Sequence, residues 1–174
     1  GEIRDNETAG LAINAALTGH LVLSTLHTNN AAGAIPRMID MKAEPFLISS
    51  TLEVIIDQRL VRKVTKEKER YRLSQAEIKN LGKYCDPDRI VKILREEKVI
   101  PPKAVLKDVD FYHPKPTKKS PEGYSGRIGI FEVLDVTESI KNIIVKEATL
   151  DQIQDQAQKE GMRIMIEDGF IKAA

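Results

Sequence analysis

The chain has a single cysteine, Cys85, among its 174 residues. One thiol excludes an internal disulfide and any metal cluster built on several thiolates. No uninterrupted apolar run approaches the roughly 20 residues that a bilayer-spanning helix needs, and no secretory leader pattern opens the chain. The expected location is therefore the cytoplasm. Excess charge of one sign is lacking as well: 27 Lys and Arg face 26 Asp and Glu, a net charge of +1, so bulk electrostatics make no case for a nucleic-acid partner. Internal repeats and low-complexity tracts are absent. So is a phosphate-binding loop. Such a loop reads G-x-x-x-x-G-K-[ST], because its backbone N–H groups cradle phosphates and its Lys and hydroxyl complete the site. The one Gly-Lys pair here, Gly82-Lys83, is followed by Tyr84 and has Glu77 where the first glycine would stand.

What is present suits a globular chain. Hydrophobic residues make up 41% and charged residues 30%, which reads as folded rather than disordered, and the length is enough to bury a core. The opening Gly1-Glu-Ile-Arg-Asp5 has no initiator Met and reads as the middle of a motif, so more protein is expected upstream.

Along the chain, Asp5 is a helix cap for an Ala-rich stretch to Leu17, with Gly19 as its stop. Leu21 to Thr25 is a short apolar run that fits a parallel strand buried on both faces. A helix is expected through Ala34 to Ile39 and another from Pro45 through Leu52, with a strand over Val54 to Val64. Helix and strand thus alternate over residues 1–64, which argues an α/β fold with a parallel sheet. The charged run Lys66 to Arg72 closes that segment. Amphipathic helices follow at Gln75 to Lys83 and Pro87 to Lys98, then loops, a tight turn at Gly123 to Arg127 and a strand from Ile128 to Val136. Helices near Glu138 to Val145, Leu150 to Lys159 and Ile164 to Ala173 end the chain.

Three candidate site residues emerge. Glu2 would be a carboxylate at the end of a parallel strand, where open α/β sheets bind ligands; there it can orient water for attack on a γ-phosphate. The plainer reading is a surface glutamate. His27, in Leu21-Val-Leu-Ser-Thr-Leu-His-Thr-Asn29, can donate to a phosphate oxygen, or be a histidine satisfied at a strand end. Arg127 projects from a backbone path eased by Gly123, Gly126 and Gly129, and its fork suits phosphate or a surface ion pair. Arg59 and Arg62 suit a subunit contact or a solvated face as well as catalysis. The cluster from Arg62 to Arg72 is interleaved with Glu67 and Glu69 and reads as a solvated face.

Taken together, Gly1 to Ala9, Ala16-Leu-Thr-Gly-His-Leu-Val-Leu-Ser-Thr-Leu-His-Thr-Asn29 and Gln58-Arg-Leu-Val-Arg62 resemble the secretion and pilus ATPases, the family of type II secretion and type IV pilus-assembly motors. The match is dense over 1–64. It resumes at Gly123 to Glu132, at Gly161-Met162 and at Glu167-Asp-Gly169. The resemblance implies a partial RecA-like P-loop core over 1–64, an inserted helical and loop region over 65–122, and a C-terminal hairpin and helical subdomain over 123–174. It implies Glu2 as the general base or water-orienting residue that closes the Walker B strand, His27 as the histidine-box sensor of the γ-phosphate, and Arg127 near the nucleotide. ATP and Mg²⁺ would serve the full-length protein, while the isolated chain is expected not to turn over ATP.

Many members of that family carry two Cys-x-x-Cys pairs for a tetrahedral zinc. The corresponding positions here are Thr65, Lys68, Pro116 and Lys119, none of them a ligand, so no zinc is expected. The partners implied are five further copies in a homohexamer and a platform protein of the inner membrane, on whose cytoplasmic face the ring would sit. A pilus-retraction motor, a non-catalytic partner subunit and a DNA-transfer ATPase are the alternatives; no nucleic acid is expected for the first reading.

Overall fold

The computed structural model describes residues 1–174. They form eight α-helices, one 3-10 turn and four strands. The chain divides into two compact units, one of residues 1–57 with 132–163 and one of residues 58–131 with 164–174. Both units are discontinuous in sequence.

In the first unit, helix α1 (Asn6–Leu17) starts where expected because Asp5 holds an extended conformation and its carboxylate accepts the Thr8 N–H at 2.9 Å. Such a cap is worth about 1 kcal/mol. The helix stops before Gly19, whose φ of 89° is a left-handed value that glycine tolerates best. Ala9 and Ile13, four residues apart on one face, are its buried positions. Helices α2 (Ala34–Asp40) and α3 (Pro45–Thr51) follow, the latter with its proline in the first turn. Helix α3 packs on α1, α2 and α6 (Glu138–Val145), and α6 packs on α7 (Leu150–Lys159). Ile35, Ile48, Ile140, Ile144 and Ile153 are fully buried there. Each contributes about 1.5–3 kcal/mol of apolar burial.

Two expectations fail in this unit. Leu21 to Thr25 is not a strand buried on both faces. Its one backbone pairing is a parallel bridge between Glu2 and Thr25, and Leu21 and Leu23 are 89% and 82% exposed. A strand becomes buried only when neighbours flank it and another layer covers it, and here the only neighbour is the three-residue segment Gly1–Ile3. A parallel sheet running on through 54–64 is also not what forms. Strand β1 (Val54–Val64) has the expected bounds, but it pairs with β4 (Tyr124–Asp135). Val136 N–H donates to the Glu53 carbonyl at 2.9 Å and Thr65 N–H to the Gly123 carbonyl at 3.0 Å, so the two strands run antiparallel.

For the same reason no hairpin closes within 123–174: the partner of β4 lies some sixty residues earlier. Nor is Tyr124 to Arg127 a turn. Gly126 takes a φ of 74° within the strand, which lets β4 run on to Tyr124. Gly123, at φ 71°, is required for space as well, since a Cβ there would lie 2.8 Å from the Lys115 backbone.

The second unit has its own core. Helix α4 (Gln75–Leu81) is capped reciprocally by Ser74 and Glu77. Helix α5 (Pro87–Glu96) buries Ile90, Val91, Ile93 and Leu94. Ile90, Val91 and Leu94 pack with Ile100, Leu106, Val109 and Phe111. Strands β2 (Lys68–Tyr71) and β3 (Phe111–Pro114) pair antiparallel, Lys68 opposite Pro114 and Tyr71 opposite Phe111. Helix α8 (Met165–Ala173) joins them through Phe170, edge-on to Phe111 at 5.7 Å. No helix of the chain is long and apolar enough to cross a membrane.

Candidate functional site

Two extended segments meet at the start of the first unit. Ile3 N–H donates to the Thr25 carbonyl at 2.8 Å and Thr25 N–H to the Gly1 carbonyl at 3.3 Å. That parallel bridge fixes the backbone of Glu2 beside the segment carrying His27. Their side chains touch: His27 Nε2 lies 2.9 Å from Glu2 Oε1, a hydrogen bond when the imidazole carries its proton on Nε2. Glu2 is only 20% exposed and His27 is 93% exposed, so the carboxylate is sheltered and the imidazole faces open space.

Arg4 is the third member of this group. Its Nε donates to Glu2 Oε2 at 2.6 Å, and its Nη2 contacts the same oxygen. This hydrogen bond is the main reason the Glu2 carboxyl is held below its ordinary pKa; partial burial opposes it, and the charges of Arg4 and His27 add to it. Sequence reasoning singled out Glu2 and His27 but not Arg4. The signal was there: in an extended segment residues two apart share a face, so a Glu-x-Arg triplet leading out of a strand sets the guanidinium beside the acid.

The loop after His27 is tied down from within. Thr28 Oγ1 donates to the Asn30 carbonyl at 3.1 Å, and Asn30 Oδ1 accepts the Gly33 N–H at 2.8 Å. Glu132, buried near the end of β4, accepts the Ala31 N–H at 2.9 Å. Glu132 was also missed. A carboxylate inside the apolar run Ile130-Phe-Glu-Val-Leu134 marks a buried acceptor, because a charge is rarely buried without a partner.

Arg127 belongs to the second unit, exposed on β4. Arg62 is engaged: its Nη1 donates to Glu122 Oε2 at 2.7 Å and its guanidinium lies 4.0 Å from the Tyr124 ring centre. At the positions that correspond to zinc ligands, Thr65 donates its backbone N–H to Gly123 at 3.0 Å and the Lys68 ammonium sits 3.6 Å from the Tyr112 ring centre. No three His, Cys, Asp or Glu side chains converge in a way that would hold a metal ion.

The family described as Type II/IV secretion system protein matches residues 1–174. Among curated relatives, the type II secretion system protein E of Xanthomonas campestris is 42% identical, covering 99% of this chain and 28% of that protein. The type IV pilus assembly ATPase PilB of Thermus thermophilus is 39% identical, covering 99% of this chain and 18% of that protein. The chain thus spans less than a third of either relative. In fold, it is similar to the ATPase DotB of Legionella pneumophila, with a TM-score of 0.53, 21% identity and coverage of 99% of this chain and 33% of that one.

Proposed function

Given that this chain belongs to the Type II/IV secretion system protein family, we propose that it is the C-terminal part of an ATP-hydrolysing, hexameric motor that powers type IV pilus assembly or type II protein secretion. The observation that carries the proposal is the contact between Glu2 and His27 across a parallel bridge. An acid can orient the attacking water and an imidazole can donate to a phosphate oxygen, two roles that suit γ-phosphate hydrolysis beside a phosphate cradle. In this reading Glu2 orients the attacking water, and His27 leaves Glu2 to donate to a γ-phosphate oxygen when ATP binds. Arg127 is a further phosphate-facing residue. ATP and Mg²⁺ would bind in the complete protein, with the phosphate-binding loop supplied from outside these residues.

The exposed Leu21 and Leu23 support a RecA-like core continued by further strands, since apolar strand residues of that kind are normally covered. The relatives' names support the motor's work, and the ring, its platform partner and its place on the cytoplasmic face of the inner membrane are parts of the same proposal. The region over 65–122 would do without zinc and rest on the α5 core instead.

Replacing His27 with Ala in the complete protein tests the sensing role. The expected result is a fall of about 100-fold in kcat, the low end for losing one donor that stabilises developing charge, with ADP affinity unchanged. Steady-state hydrolysis and ADP titration read both. Unaltered hydrolysis would remove His27 from the site.

A further inference from the structure

We propose that Arg4 is a positioning residue for Glu2, dedicating one carboxylate oxygen to anchorage and reserving the other for water; this rests on the reading of Glu2 as the water-orienting acid. The two oxygens of Glu2 are used differently. Both guanidinium contacts, from Nε at 2.6 Å and from Nη2, fall on Oε2, while Oε1 takes only His27 Nε2 at 2.9 Å. An ionised carboxylate has about four lone-pair sites, two on each oxygen. Arg4 places both its hydrogen bond and its ion pair on Oε2. Oε1 keeps one open, and both once His27 turns to another acceptor.

Something must hold this side chain. The parallel bridge fixes the Glu2 backbone, but three torsions separate its carboxylate from that backbone, and each has several staggered wells. The backbone of Arg4 is itself held. The Arg4 backbone N–H donates to Thr8 Oγ1 at 3.2 Å, and Thr8 belongs to the capped first turn of α1. A path of fixed points therefore runs from the helix cap through Arg4 to the acid. The Arg4 hydrogen bond is also the first cause of the lowered Glu2 carboxyl pKa. That suits an acid that orients water for a loose transition state, which calls for placement more than for basicity.

Arginine near an anion site could equally be a phosphate ligand, and the two roles separate in kinetics. In the complete protein, Arg4→Gln is expected to lower kcat by about 10- to 100-fold, the scale of misplacing a reacting group by an ångström. The Kd of ATP, read with a fluorescent analogue, stays within about twofold because the guanidinium serves the acid and not the phosphate. Arg4→Lys, which keeps the charge and loses the fork, recovers part of the rate. The thermal midpoint stays unchanged in both variants. A tenfold or larger rise in ATP Kd would make Arg4 a phosphate ligand and overturn the assignment, and so would an unchanged kcat. Glu2→Gln measured in parallel separates the two failures. If Glu2→Gln abolishes turnover and Arg4→Gln does not lower it, only the Arg4 assignment falls; if Glu2→Gln turns over normally, the role of Glu2 falls.

Discussion

Glu2→Gln in the complete protein should lower ATP turnover by about 1,000-fold, within the 10²- to 10⁴-fold range of a positioned acid–base group, while leaving ATP binding intact. The amide is nearly the same size as the carboxylate and keeps one acceptor oxygen, so the parallel bridge and the local backbone have no reason to change. What disappears is the negative charge that Arg4 and His27 both address. A neutral amide orients the attacking water poorly and accepts no proton. Turnover and equilibrium nucleotide binding, measured on the same preparation, check both halves. A loss of less than tenfold, or a loss of ATP binding, would exclude Glu2 from the role assigned to it.

The largest expected effect on stability lies far from that acid in sequence. Glu167 is 1% exposed, and Arg89 Nε donates to its Oε1 at 2.6 Å. Its Oε2 accepts the Ile164 N–H at 2.9 Å, closing the start of α8. Removing one partner of a buried ion pair leaves the other uncompensated, at a cost of about 3–5 kcal/mol. Arg89 is partly exposed and can turn toward water, so Glu167→Ala should cost about 3 kcal/mol, the low end of that range. For a chain of this length that is roughly a 6–12 °C fall in the melting midpoint. Glu167→Gln, which keeps an acceptor for the Ile164 N–H, should cost less. Urea unfolding followed by circular dichroism measures all three chains. A cost below about 1 kcal/mol for Glu167→Ala, the worth of an exposed pair, would contradict the view that this pair ties α5 to α8.

Where the chain folds by local rules, the sequence was readable. Helices α6 and α7 and strand β1 have the bounds expected from pattern alone, because Thr137 and Thr149 are caps that announce a helix start, the apolar positions of the two helices repeat at helical spacing, and β1 is rich in Val and Ile. Pairing between distant segments was not readable. Strand β2 is Lys-Glu-Arg-Tyr; three charges in four residues hide its alternation, and only Tyr71 faces the core. The β1–β4 pairing depends on which distant strand offers a complementary edge, which no local window contains. The buried ion pair of Glu167 was hidden for another reason. The residue at its helix cap is Ile164 rather than Ser or Thr, so the usual capping signature was missing, and a glutamate near a chain end reads as solvated.

The candidate site divides in the same way. Glu2 and His27 were legible through the resemblance of their surrounding residues to a known family, and their contact depends on one parallel bridge. Arg4 and Glu132 were not singled out, because each acts through a neighbour: Arg4 through the acid two residues before it, Glu132 through a backbone N–H about a hundred residues away.

The most direct measurement is an experimental structure of the complete protein with a non-hydrolysable ATP analogue. The account predicts a γ-phosphate oxygen within about 3.2 Å of His27 Nε2, a water held by Glu2 Oε1 in line with the γ-phosphate, and Arg4 still on Oε2. A bound analogue whose γ-phosphate is remote from both Glu2 and His27 would contradict it.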